Sequence, residues 1–372
     1  MTSLAQSEIL SWLREERPER LRELYARANA VRRESVGDAV HLRGLIEISS
    51  HCERQCMYCG LRKANHSLER YRMMREEIEQ CALTAVQLGY GTVVMQAGED
   101  DALTAEWIAG IVRWIKCETP LAVTLSLGER GKDELKLWRT AGADRYLLRF
   151  ETSDPYLYRA IHPQRFPGRS DRLMLLKELK SLGYETGGGV MVGIPGQSYA
   201  SLAQDLLAFR DFDLDMIGIG PYIAHPATPL GSGQFRPRID PAEQTPNDEQ
   251  TVYKMIALAR ILCPSANIPS TTALATINRQ HGRKQGLQVG ANVVMPNLTP
   301  VKYRRLYQIY PDKACIEESA TDCNQCLRGQ IRAIERFPGR GVGGRGEIEV
   351  DAEMIAASVS QLVRLEERSY GL

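Results

Sequence analysis

An excess of charge of either sign is missing from this 372-residue chain: Lys and Arg total 47 against 46 Asp and Glu, a formal net charge of +1. So close a balance leaves no basic footprint for nucleic acid, and the charges read as a solvated surface. Long apolar runs are missing too. None approaches the roughly 20 residues that cross a bilayer, and the opening Met1-Thr2-Ser3-Leu4-Ala5 brings no basic segment with an apolar core behind it. The expectation is a cytoplasmic protein with no nucleic-acid and no membrane partner. An even cysteine count is also absent. Of the nine cysteines, six fall in two groups, which fits metal ligation in a reducing compartment better than a disulfide framework. Cys81, Cys117 and Cys263 stand alone in apolar or helical contexts and read as inert thiols.

What the chain does have is Cys52-Glu53-Arg54-Gln55-Cys56-Met57-Tyr58-Cys59, directly after the apolar run Leu42 to Ile48. Three thiols at C-x3-C-x2-C spacing can converge on one face of a tight loop and ligate three irons of a cubane cluster. The fourth iron has no local cysteine. An electron-carrier ferredoxin would supply one nearby, so the incomplete set argues for an iron left open to a small molecule. Zinc is the alternative, but a zinc ribbon needs a second ligand pair at comparable spacing, and the next Cys-x2-Cys is the distant Cys323 and Cys326.

At 43% hydrophobic composition the chain can bury one large core. Residues 3–35 read as two helices split at Pro18. Strand candidates follow at 42–49, 92–96, 121–127, 145–150, 187–193, 216–220, 268–272 and 291–295. Amphipathic helical stretches lie between them at 75–88, 104–116, 132–140, 171–182, 199–209 and 248–262. Eight strands with helical crossovers match the roughly 250 residues of a complete (β/α)8 TIM-type barrel, an α/β fold, with an open doubly wound sheet as the rival. The closed barrel is favoured because chemically suggestive residues recur at successive strand ends. The chain then divides into an N-terminal helical segment 1–40, the barrel 41–300 and a cysteine-bearing segment 301–335. A C-terminal extension over 336–372 reads as a Gly/Arg linker and a terminal helix, the helix at 349–366.

After the second strand, Gly98 permits close backbone approach and Glu99 can pair with an ammonium group. Gly128-Glu129 follows the third strand and Arg149-Phe150-Glu151 the fourth. The run Gly187-Gly188-Gly189 has two readings: a bed for an adenosine-sized ligand, or a crowded barrel corner. Arg149, Thr271, Thr272 and Met295 fall at the carboxyl ends of strands four, seven and eight, and Tyr307 follows in a segment that can cap the mouth. Strand propensity for the two threonines and core filling for Met295 are the alternatives. Cys315, Cys323 and Cys326 make a C-x7-C-x2-C group open to a second cluster, to zinc or to no metal.

Taken together, these residues resemble the radical S-adenosylmethionine (SAM) maturases of [FeFe]-hydrogenase, relatives of biotin synthase and methylornithine synthase. The resemblance runs from about Leu42 to Gly329. It is carried by Cys56 to Arg62, Arg70-Tyr71-Arg72-Met73, Gln96 to Asp100, Thr124 to Glu129 and Gly290 to Asn297. It implies a radical SAM enzyme with a [4Fe-4S] cluster on Cys52, Cys56 and Cys59. Implied SAM contacts are Tyr58, Gly98, Glu99, Ser126, Glu151, Arg172 and Ile219. Among them Glu99 or Glu151 would accept from the ammonium, Arg172 would pair with the carboxylate, and Ser126 would bond the ribose. Without the resemblance Arg172 reads as a surface helix charge. Arg149, Thr271, Thr272, Met295 and Tyr307 would face a substrate cavity. Cys315, Cys323 and Cys326 would hold a second cluster, [2Fe-2S] or [4Fe-4S]. The implied substrate is a small organometallic iron–carbonyl–cyanide–cysteine complex bound for the hydrogenase H-cluster. A one-electron reductant and other maturases are the implied partners of a monomeric chain. The rival readings are a methylornithine synthase-like mutase and a non-enzymatic iron–sulfur assembly scaffold.

Overall fold

The computed structural model describes residues 4–164 and 171–351. It opens with α1 (Gln6–Arg14) and α2 (Pro18–Val36). Pro18 stands in the first turn of α2, where its missing N–H costs no intrahelical bond, and Leu21, Leu24, Ala28 and Val36 lie on the buried face. Strands and helices then alternate: β1 (Ala39–Ser49), α3 (Arg75–Gln87), β2 (Thr92–Ala97), α4 (Ala105–Glu118), β3 (Ala122–Ser126), α5 (Lys132–Thr140) and β4 (Arg145–Leu147). Next come α6 (Pro155–Ile161), α7 (Arg172–Ser181), β5 (Glu185–Val192), α8 (Tyr199–Asp211), β6 (Met216–Pro221) and α9 (Glu249–Leu262). The remaining elements are α10 (Thr272–Ile277), α11 (Gly282–Gln288), β7 (Val293–Val294), α12 (Val301–Arg304), α13 (Ala320–Arg332) and β8 (Phe337–Pro338). The two N-terminal helices pack on α8 and α9, outside the sheet. There Lys254 Nζ donates to the Leu13 carbonyl at 2.6 Å.

Seven strands run parallel in the order β6-β5-β4-β3-β2-β1-β7, and β8 joins the start of β1 at Ala39 and Val40. Every residue of β1 is buried, as expected of a parallel strand covered on both faces. The expected complete barrel of eight regular strands is not formed. The strand read at 268–272 is present only as two isolated bridges between β6 and β7, Met216 to Asn267 and Pro269 to Val293. The reason is local. Pro269 has no N–H to give a ladder, and Thr271 is the N-cap of α10, its hydroxyl accepting from the Leu274 amide. The Thr-Thr pair that suggested a strand starts a helix instead.

The glycine run of β5 is the crowded corner and not a ligand bed. A Cβ on Gly189 would sit 2.3 Å from the Gly218 carbonyl oxygen, and one on Gly187 would sit 2.7 Å from Leu147. The stretch whose composition suggested a flexible linker is a floor beneath the sheet. The Val342 carbonyl accepts from Thr92 Oγ1 at 2.8 Å and Arg145 at 3.1 Å. That of Gly343 accepts from Arg43 at 2.9 Å and Asn267 at 3.1 Å. Backbone meets backbone here: a Cβ on Gly91 would be 1.9 Å from the Gly341 oxygen. The helix expected at 349–366 lies outside the described residues from 352 onward. No described helix is long and apolar enough to cross a membrane.

Candidate functional site

The cysteine loop leaves the carboxyl end of β1 and is held by other elements at several points. The Glu53 amide donates to the Glu99 carbonyl at 2.9 Å, Met57 to Ile161 at 2.8 Å and Gly60 to Ile309 at 3.0 Å. Arg70 clamps the loop from outside, its guanidinium donating to the carbonyls of Ser50, Leu61, Arg62 and Asn65. Gly98 lies against it so closely that a Cβ would stand 2.2 Å from the His51 oxygen and 2.7 Å from the Cys52 Cβ. Two glycines therefore set the fit, since a Cβ on Gly60 would be 2.1 Å from the Gln308 oxygen.

The three thiols face a cavity of about 280 Å³ at the carboxyl ends of the strands. Its walls also carry Tyr58, Gly98, Glu99, Ser126, Glu151 and Arg172. Arg149 and Tyr307 line it from the substrate set. Ile219, Thr271, Thr272 and Met295 do not line it. Ile219 is fully buried in the main core, and Thr271 stands one layer back as the cap of α10. Burial raises the Cys52 thiol, pushes Cys56 up to about 12 and lifts Cys59 well above its ordinary value, with the neighbouring thiols adding to the last two. Thiols so placed stay protonated until a positive centre draws off their protons, which is the chemistry of an iron-binding set. The donor set thus fits a cluster. Among the described residues, no group of three His, Cys, Asp or Glu is drawn together around one metal ion.

An ion network separates this cavity from the outside. Asp171 caps α7 by accepting from the Met174 amide, which makes Arg172 the first helical residue. Arg172 donates to Glu99 at 3.0 Å, to Glu129 at 2.8 Å and to the Arg149 carbonyl at 2.6 Å. It is buried, not the surface charge that helix position alone suggests. Arg54, within the cysteine motif, lies 3.4 Å from Glu129 and 3.7 Å from Glu99. Burial raises Glu99 against the pull of Arg172 and Arg54. Glu151 holds a left-handed backbone, φ 64°, and accepts from Arg149 at 3.2 Å and Tyr58 at 3.4 Å. A non-glycine residue there is strained, and such strain gathers at functional sites.

Sequence reasoning passed over Arg54, Glu129, Arg70 and His162 as site residues. Arg54 had a signal in its place inside the motif, Glu129 in following the third strand and Arg70 in a stretch that carries the resemblance, while His162 had none. It also passed over the fully buried Glu47, paired with Lys313 and accepting from Asn297 at 2.9 Å. In the second cysteine group, Cys315 and Cys323 lie close enough to interact thiol to thiol, which lowers Cys315 and raises Cys323. Cys326 is exposed on α13, where its sulfur accepts from Gln330 at 3.3 Å.

A parallel sheet with a three-thiol loop at its carboxyl edge, opening on a buried, charge-lined cavity, is the arrangement of a radical SAM enzyme. The Radical SAM superfamily is matched over residues 46–208. The chain is 48% identical over 325 residues to the [FeFe] hydrogenase maturase subunit HydE of Thermotoga maritima, covering 87% of this chain and 89% of that protein. It belongs to the HydE family of hydrogenase maturases. To 3-methylornithine synthase of Methanosarcina acetivorans it is 29% identical over 294 residues, 78% of this chain and 79% of that one. The crystal structure of methylornithine synthase superposes with a TM-score of 0.74 at 25% identity, covering 91% of this chain and 95% of the other. Membership of the radical SAM group implies a [4Fe-4S] cluster and SAM.

Proposed function

We propose that this protein cleaves SAM reductively and turns the resulting radical on a small iron–carbonyl–cyanide–cysteine complex during assembly of the hydrogenase H-cluster. The observation that carries the reading is the meeting of Cys52, Cys56 and Cys59 with Tyr58, Glu99, Ser126, Glu151 and Arg172 on one buried cavity, in a chain of the HydE family. When bound, the cluster and SAM supply an electron and a carbon–sulfur bond whose cleavage gives methionine and a 5′-deoxyadenosyl radical. The chain's residues bind and orient. Glu99 or Glu151 accepts from the SAM ammonium, Arg172 takes the carboxylate and Ser126 a ribose hydroxyl. Arg149, held by Glu151 and by the Val190 carbonyl at 2.7 Å, faces the substrate space as an anion donor. The buried surroundings keep water from the radical.

Two features support finer readings. Ile217 N donates to Asn267 O at 2.9 Å and Ser270 N to Val293 O at 2.9 Å, which supports a barrel completed by an irregular eighth stave. The thiol pair Cys315 and Cys323, with Cys326 three residues beyond, supports an accessory cluster with no part in the radical step. A one-electron reductant and the other maturases are the partners this role requires. Identity of 48% to HydE against 29% to methylornithine synthase favours the maturase over the mutase.

Anaerobic reconstitution tests the reading. The wild-type protein under reductant should release 5′-deoxyadenosine from SAM, and Cys56→Ala should not. Release by the variant would refute the ligand assignment. Arg149→Ala should keep its iron and its SAM cleavage while hydrogenase maturation falls, whereas Thr272→Val should leave both intact.

A further inference from the structure

Glu47 on β1 and Gln96 on β2 are register partners in the parallel sheet, and the register runs on to Ser126 on β3. Partners across neighbouring strands point to the same face, yet their surroundings differ. Gln96 and Ser126 line the cysteine cavity, while Glu47 stands beside that wall, fully buried. Its counter-ion comes from far along the chain. The backbone takes a left-handed bend at Asp312, φ 54°, and the next residue, Lys313, pairs with Glu47 Oε1, its side chain 7% exposed. Glu47 Oε2 accepts from Asn297 at 2.9 Å. Two charges taken so far from water add little net stability, so such a pair is better understood by what it orients. What it orients is Tyr307. Lys313 Nζ stands 5.2 Å from the centre of the Tyr307 ring, and Gln96 Nε2 donates to the Tyr307 hydroxyl at 3.2 Å. The ring, a wall of the cavity, is thus held at its face and at its oxygen.

We propose that Lys313, anchored by Glu47, is a positioning residue: it fixes the Tyr307 ring so that the phenol donates its hydrogen to an anionic ligand atom of the substrate, a carboxylate oxygen or a cyanide nitrogen. The inference rests on the substrate reading above. With the Gln96 amide on one lone pair of the phenol oxygen, the hydroxyl hydrogen is left for the cavity. The ammonium over the ring draws electron density from that oxygen and makes the O–H a stronger donor. The segment around Lys313 is tied separately. Arg279 donates to the Asp312 carbonyl at 3.1 Å, Ala314 N donates to Thr276 Oγ1 at 3.0 Å, and Gly60 N donates to the Ile309 carbonyl at 3.0 Å. The segment therefore keeps its course without the ion pair, and the ring alone loses its hold.

The experiment compares Tyr307→Phe, Lys313→Arg, the neutral pair Glu47→Gln with Lys313→Met, and that pair combined with Tyr307→Phe, all as anaerobically reconstituted full-length protein. The neutral pair leaves no bare charge in the core, and iron content with Kd for SAM shows that the site is intact. The readout is KM for the iron–carbonyl–cyanide–cysteine complex in hydrogenase maturation at saturating SAM. Tyr307→Phe should raise KM about ten-fold, the size of one hydrogen bond to a charged group. The neutral pair should lose most of the same factor and add nothing in the combined variant, because it acts through the hydroxyl. Lys313→Arg should stay near wild type, since a guanidinium can pair with Glu47 and lie on the ring. In protein carrying 3-fluorotyrosine at position 307, the fluorine resonance should move in the neutral pair and return in Lys313→Arg. Wild-type KM in the neutral pair would overturn the inference. So would losses that multiply in the combined variant, or a fluorine resonance indifferent to Lys313. A wild-type protein that cleaves SAM without saturable dependence on the complex would instead remove the substrate reading, a result distinct from a KM that the variants leave unchanged.

Discussion

At the scale of single residues, the site is built from positions where no other side chain fits as well as from groups that react. Gly98 is the clearest case, since its missing Cβ makes room for His51 and Cys52. Gly98→Ala should push the cysteine loop off the end of β2, lowering bound iron after reconstitution while far-ultraviolet circular dichroism stays that of the wild type. Full iron content would show that the loop can yield. Glu151 is the converse, a side chain retained on a left-handed backbone that a glycine would occupy without strain. Glu151→Gly should therefore raise thermal stability, by about 1 kcal/mol, and weaken SAM cleavage, checked by calorimetry and 5′-deoxyadenosine release. The three thiols and Glu99 were legible because their spacing and their place after strands carry chemistry. The pairing of Arg54 with Glu129 was not, because an arginine and a glutamate look alike in sequence whether they face water or a buried partner far along the chain.

At the scale of elements, the parallel strands and their covering helices follow from hydrophobic period, and α5 runs over Lys132–Thr140, the residues expected. What failed was composition read without context. Thr271 and Thr272 have strand propensity, yet the first caps a helix. Glycines of the 339–346 stretch suggested a free linker, yet they permit backbone to pass beneath the sheet. That floor carries a pH dependence. His41 is buried against Gly339 and Gly343, neither ring nitrogen has a hydrogen-bond partner, and burial with Arg43 nearby lowers it to about 4. The other charges around it are Glu347, Arg145, Arg336 and Glu349. A histidine lowered on folding binds fewer protons folded than unfolded, so its contribution is full above its ordinary value near 6.5 and is lost as pH falls toward 4. Protection from hydrogen exchange in residues 338–349, corrected for the intrinsic pH dependence of amide exchange, should fall as pH drops through that window and stay constant above it. His41→Phe should flatten the dependence, and an unchanged profile would free His41 of the role.

At the scale of the whole molecule, the expected fold class and family hold, while a barrel of eight regular strands does not. A count of apolar runs cannot register that Pro269 breaks a ladder. Of the second cysteine group, Cys323 and Cys326 lie on α13 and Cys315 on the segment before it, and none of the three lines the strand-end cavity. Replacing Cys315, Cys323 and Cys326 by serine should lower iron content and leave SAM cleavage intact, and lost cleavage would give that group a direct part. The floor laid by residues 338–349 has a kinetic consequence. With the lower end of the sheet filled by Val342 and Gly343 bonded to Thr92, Arg145, Arg43 and Asn267, the described residues leave access to the cavity from the carboxyl ends of the strands, the side of the cysteine loop. Reactants and spent fragments share that access, so 5′-deoxyadenosine should inhibit competitively against SAM, and each turnover must wait for the chamber to empty.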